Sequence, residues 1–121
     1  MFSLTNQIRY HVYTRTCDMR NGINGLYCII EREMPVPATS GDAFVFFSRC
    51  RDQVKILRWD DDGFVLYTKR LEKGTFEKIE EKEGHIELSW SKFCLIMQGV
   101  NTAKVIFRKR YTLFAKDVKS R

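Results

Sequence analysis

Two histidines, two prolines and four cysteines are all that this chain of 121 residues holds of those types, and each scarcity closes off a class of function. Cys17, Cys28, Cys50 and Cys94 form no C-x-x-C pair, and His11 and His85 are too few to complete a zinc set at any usual spacing. The expectation is therefore no metal centre and no cofactor, with the cysteines kept as thiols in a cytoplasmic protein. No apolar run approaches the ~20 residues that cross a bilayer. The first ten residues, MFSLTNQIRY, lack the unbroken apolar core of a signal peptide. There is no Gly-x-Ser-x-Gly elbow, phosphate loop or catalytic Cys–His spacing, no internal repeat and no low-complexity stretch. Neither a membrane partner nor a small-molecule substrate is expected, and the chain reads as a non-enzyme.

What the chain has in excess is positive charge, and it is unevenly placed. The net charge of +6 divides into +1 over residues 1–40, +1 over 41–76, −2 over 77–103 and +6 over 104–121. A basic terminus on a near-neutral body suits an arm that meets phosphate or another acidic surface. With 44% hydrophobic residues, the length accommodates one modest core, so residues 1–114 are read as a single α+β domain and 115–121 as a basic disordered tail.

The stretch Ser40–Phe76 organises the rest. Ala43–Ser48, Val54–Trp59 and Phe64–Arg70 are rich in aromatic and aliphatic residues with polar or Gly-containing breaks between them, which predicts a three-strand meander. Asp60-Asp61-Asp62-Gly63 is a hairpin turn, because Asp and Gly tolerate positive φ. With that turn as the loop, Trp59 lies opposite Phe64 and Leu57 opposite Leu66 on an apolar face. On the other face Arg58 meets Val65, Ile56 meets Tyr67 and Val54 meets Lys69.

Upstream, Ile8–Tyr13 alternates as a first strand. A helix with Asp18 as N-cap carries the stripe Met19, Ile23, Leu26, Ile30 and Met34, and Pro35 and Pro37 end it. Downstream, Glu77–Glu87 is polar and acidic and reads as a solvated connection. Ser89 caps a second helix whose inner face is Trp90, Phe93, Cys94 and Met97 and which Gly99 closes. Lys104–Phe114 reads as a basic strand. The resulting order is β-α-β-β-β-α-β, a mainly antiparallel sheet with two helices covering one face and the other face open.

On that open face the sequence places Arg58, Tyr67 and Lys69, with Arg49 and Arg51 in the adjoining turn. Together with Lys55, Arg70 and the cations Arg108, Lys109 and Arg110 of the last strand, these are the candidate nucleic-acid-binding residues. Gly41–Phe47 lacks the basic residue and the first stacking aromatic of an RNA-recognition strand, so Phe44, Val45, Phe46 and Phe47 read as a strand buried on both faces. Asp60, Asp61 and Asp62, with Asp42 and Asp18 elsewhere, raise a metal-dependent nuclease as the weakest alternative. Consecutive aspartates in a turn point apart, whereas two-metal chemistry needs convergent carboxylates.

The same residues carry a resemblance. Asp18-Met19-Arg20 with Gly22 and Gly25-Leu26, Ser40-Gly41-Asp42 before Phe44–Phe47, then Arg49, Arg51-Asp52, Lys55, Leu57, Trp59-Asp60, Asp62-Gly63-Phe64, Leu66 and Lys69-Arg70-Leu71-Glu72 with Gly74 and Phe76 follow one another at fixed spacing. In this the chain resembles the small accessory proteins, called TnpB, of insertion-sequence-66-type bacterial transposable elements, which are distinct from the RNA-guided nuclease of the same name. It departs at Cys50 in the Arg-rich turn, at Asp61 where a glycine is common, and in the acidic 77–87 stretch. The resemblance implies a protein that assists a separately encoded transposase of the same element in transposition, with DNA as a further partner. A protein-binding adaptor of the transposase without DNA contact is the alternative.

Overall fold

The computed structural model describes residues 4–77, 79 and 84–99. Five strands form one sheet: β1 (Tyr10–Tyr13), β2 (Ala43–Phe47), β3 (Gln53–Trp59), β4 (Phe64–Arg70) and β5 (His85–Leu88), in spatial order β4-β3-β2-β1-β5. Two helices, α1 (Ile23–Glu33) and α2 (Trp90–Met97), complete an α+β fold. β1 and β2 are parallel neighbours, and every other pairing is antiparallel. Parallel neighbours need a crossover, and α1 with the 3-10 turn Ala38–Ser40 supplies it. The meander has the register expected of its turn, with Trp59 opposite Phe64, Leu57 opposite Leu66 and Ile56 opposite Tyr67.

The two helices lie on opposite faces, not on one. Tyr13, Phe44, Phe46 and Leu57 pack with Leu26, Ile30 and Met34 of α1, whereas Tyr10, Val12, Val45 and Ile56 pack with Phe93 and Ile96 of α2. β2 is the reason. Its alternation sends Phe44 and Phe46 one way and Ala43, Val45 and Phe47 the other, all five are buried, and one helix layer cannot dry both sides. Tyr10 stacks on Phe93 with ring centroids 4.1 Å apart, which seats α2 over the middle of the sheet.

Two further expectations need correction. The acidic stretch read as a connection contributes an edge strand, because His85 and Glu87 alternate with Ile86 and Leu88 and pair with β1. Asp18 does not cap α1. Its carboxylate takes the Arg20 backbone N–H (2.9 Å) and side chain, while its carbonyl takes the Asn21 N–H, so the chain turns first and the helix begins beyond Gly22. Ser89 does cap α2, accepting the Lys92 N–H at 3.2 Å. The strand Lys104–Phe114 and the tail 115–121 lie outside the described residues. Among the described residues no helix is long and apolar enough to cross a membrane.

Candidate nucleic-acid interface

The face that was expected to be open is the one α2 covers, and this sorts the candidate cations. Arg58 is turned onto its own fold: Nε donates to the Gly41 carbonyl at 2.8 Å and the guanidinium lies 3.6 Å from Asp60 Oδ1. Gly41 has φ +92, a conformation open to glycine, and that sharp turn is what presents its carbonyl to Arg58. Tyr67 is half-buried against the α2 core cluster and, with Val54, Ile56, Phe93 and Met97, lines an apolar groove of about 300 Å³. Lys69 is exposed, but its Nζ donates to the Met97 carbonyl at the end of α2, 2.9 Å away, where a cation also meets the negative end of the helix dipole.

Two more act inside the fold. Arg51 takes φ +60 in the β2–β3 turn and lays its guanidinium 4.5 Å from the centre of the Phe47 ring, donating to the carbonyls of Phe76 and Glu77. Burial lowers its pKa below the ordinary arginine value, as expected of a cation withdrawn from water. Lys55 reaches across the α1 face to the carbonyls of Met19 and Asn21, both at 2.8 Å, and holds the approach to α1 in place.

Arg49 and Arg70 remain. Both are exposed and neither has a hydrogen-bond or ion-pair partner among the described residues. They share one end of the sheet. Arg70 is opposite Gln53 in the ladder, and Gln53 and Arg49 line the same open depression of about 480 Å³ beside the β2–β3 turn. The segment after β4 is tied to that turn by Leu71 N–H to the Asp52 carbonyl (2.8 Å) and Phe76 N–H to the Arg51 carbonyl (2.7 Å). This brings Lys73, also exposed and unpaired among the described residues, to the same end; the candidates read from sequence omitted it, although it follows Lys69-Arg70 within the same motif. Asp18 and Asp52 also line the depression, but Asp18 is paired with Arg20, which holds its carboxyl down at about 2, and Asp52 accepts from the Ser48 hydroxyl. Arg108, Lys109 and Arg110 lie outside the described residues.

The aspartates do not converge. Asp42 is engaged at the start of β2, Asp18 before α1 and Asp60 by Arg58, and among the described residues no group of three His, Cys, Asp or Glu side chains is placed to hold a metal ion. Asp42 belongs to a part-buried chain of side chains that the sequence did not disclose. His11, 1% exposed, places Nε2 2.8 Å from Asp42 Oδ2 and Nδ1 2.9 Å from His85 Nε2. Asp42 just before β2, His11 on β1 and His85 on β5 are thus joined through one ring, whose tautomer sets which partner donates. This arrangement is that of a satisfied core histidine.

The basic end, the meander and the residues leading into α1 all fall within the span matched by a known family: the sequence profile of the IS66 Orf2-like proteins covers residues 8–106. The chain belongs to this family. IS66 Orf2-like proteins are accessory proteins of insertion sequences, so this is a protein of transposition. Two relatives come from Sinorhizobium fredii (strain NBRC 101917 / NGR234). The uncharacterized protein y4jC is 31% identical over 105 residues, 87% of this chain and 90% of its own length. The uncharacterized protein y4hO is 28% identical over 94 residues, 78% and 82% of the two chains. No solved structure matches the IS66 Orf2-like chain.

Proposed function

We propose that this IS66 Orf2-like protein assists the transposase of its element by binding nucleic acid, without itself catalysing a reaction. The observation that carries the reading is the sorting of the cations. Of the body residues read as phosphate contacts, those not spent on the fold, Arg49 and Arg70, share one end of the sheet with Lys73. Exposed, unpaired guanidinium and ammonium groups bind phosphates without first breaking an internal bond. The seven cations of residues 104–121 add a second basic element in the sequence. A mobility-shift titration of the full chain against element-end DNA and unrelated duplex, with and without transposase, tests this directly. Binding to both duplexes that weakens steeply with salt supports it. Removing 115–121, which takes away Lys116, Lys119 and Arg121, should lower the log-log salt slope by about three if all three meet phosphates.

The adaptor reading keeps one observation in its favour, the apolar groove lined by Val54, Ile56, Tyr67, Phe93 and Met97. An interface with an apolar core need not respond to salt, so transposase binding that is insensitive to salt, in the absence of any shift on DNA, selects it.

A further inference from the structure

β4 is the outermost strand of the sheet and seven residues long, against four for β5 at the other edge, and among the described residues no strand pairs with its outer side. The hydrogen bonds at its two ends fix which of its backbone groups face outward. Asp60 N–H donates to the Gly63 carbonyl at 2.7 Å and Leu71 N–H to the Asp52 carbonyl at 2.8 Å. An antiparallel ladder bonds at every second pair, so Val65, Tyr67 and Lys69 exchange bonds with β3, and Phe64, Leu66, Thr68 and Arg70 direct N–H and C=O outward. The usual protections of an edge are few here. The register runs without a bulge from Gln53–Arg70 to Trp59–Phe64, there is no proline, and Phe64, Val65, Leu66 and Tyr67 are only half-buried.

Charge along this edge is polarised: Asp60, Asp61 and Asp62 lie at one end, and Lys69, Arg70 and Lys73 at the other. An antiparallel copy of the same strand brings opposite ends together. We propose that two copies of the chain pair along β4 about a two-fold axis at Leu66, extending the sheet across the dimer. In that register the outward groups of Phe64 and Thr68 of the two copies bond each other, Leu66 faces Leu66, and Val65 lies opposite Tyr67, an aliphatic–aromatic pair of the kind sheets favour. Lys69 falls opposite Gly63 and Arg70 opposite Asp62 of the second copy. A two-fold at Tyr67 instead opposes Asp62 to Glu72, and one at Thr68 opposes Glu72 to Phe64 and leaves the aspartates unmatched. Arg70 is common to this pairing and to the proposed phosphate contact, whereas Arg49 and Lys73 serve only the latter, so the dimer is tested in the absence of nucleic acid.

Sedimentation equilibrium of the full chain over the micromolar range, without nucleic acid, tests the dimer. The expected result is a monomer–dimer equilibrium whose Kd rises about tenfold for Arg70→Asp and likewise for Asp62→Arg, since each change replaces two symmetry-related attractions by repulsions. The double variant Asp62→Arg, Arg70→Asp restores wild-type association, and because both residues sit at exposed positions or in the turn, that rescue separates pairing from misfolding. A chain that stays monomeric throughout overturns the proposal, including the case in which hydrogen exchange shows β4 covered by the chain's own 104–114 run. A dimer indifferent to both single changes also overturns it.

Discussion

Arg49 and Arg51 stand two residues apart in one turn and are chemically alike, yet they have opposite fates. Arg51, with its positive φ, is held over Phe47 by two backbone carbonyls, and Arg49 is exposed with no partner among the described residues. Arg51→Ala is expected to destabilise the fold by about 2–3 kcal/mol through the loss of charge-assisted bonds and of packing on the ring, and Arg49→Ala by no more than about 0.5, as read from urea midpoints. Tyr10 offers a pH test. Its hydroxyl donates to the Thr5 carbonyl at 2.7 Å within the α2 core, and burial raises its pKa from 10.0 to about 12. A pKa raised by folding means that the stabilisation is complete below the unfolded value of about 10 and is lost as pH rises through 10 toward 12. Tyr10→Phe should cost about 1 kcal/mol at neutral pH and remove that alkaline loss, which is visible as a flatter midpoint-versus-pH curve.

Among the elements, β5 depends most on a contact that periodicity does not reveal. His85 reaches His11, and His11 reaches Asp42, so one buried imidazole joins β5 and β1 to the residue just before β2. His11→Ala should lower stability by about 2–4 kcal/mol, since it leaves a cavity and strips two polar groups of a partner, and hydrogen exchange should show β5 amides losing protection before those of β3. The meander was legible from sequence because its signals are local: alternation, and an Asp-Gly turn that fixes the register across β3 and β4. The cap at Ser89 was legible for the same reason. The parallel pairing of β1 with β2 and the placing of α2 opposite α1 were not, because they depend on which residues distant in sequence share a face. The apolar character of both sides of Ala43–Phe47 was the available clue. Of the candidate cations, residue type could not reveal that Arg51, Lys55, Arg58 and Lys69 are engaged by backbone carbonyls of Phe76, Met19, Gly41 and Met97, whereas Arg49 and Arg70 are exposed and unpaired among the described residues.

At the scale of the molecule, the candidate cations of the body that are unpaired among the described residues lie with Lys73 at the end where the β2–β3 turn and the segment after β4 meet, while the apolar faces of the sheet are committed to α1 and α2. An insertion-sequence accessory protein of this shape is expected to hold phosphates at that end, with Arg58 and Lys69 contributing to the fold instead. The salt dependence of duplex binding is the most direct measurement. Comparing the wild type with the triple variant Arg49→Ala, Arg70→Ala, Lys73→Ala by mobility shift over a salt series, the log-log slope should become shallower by about three, close to one unit for each phosphate no longer neutralised, with urea midpoints unchanged. An unchanged slope and affinity in the triple variant would contradict the account.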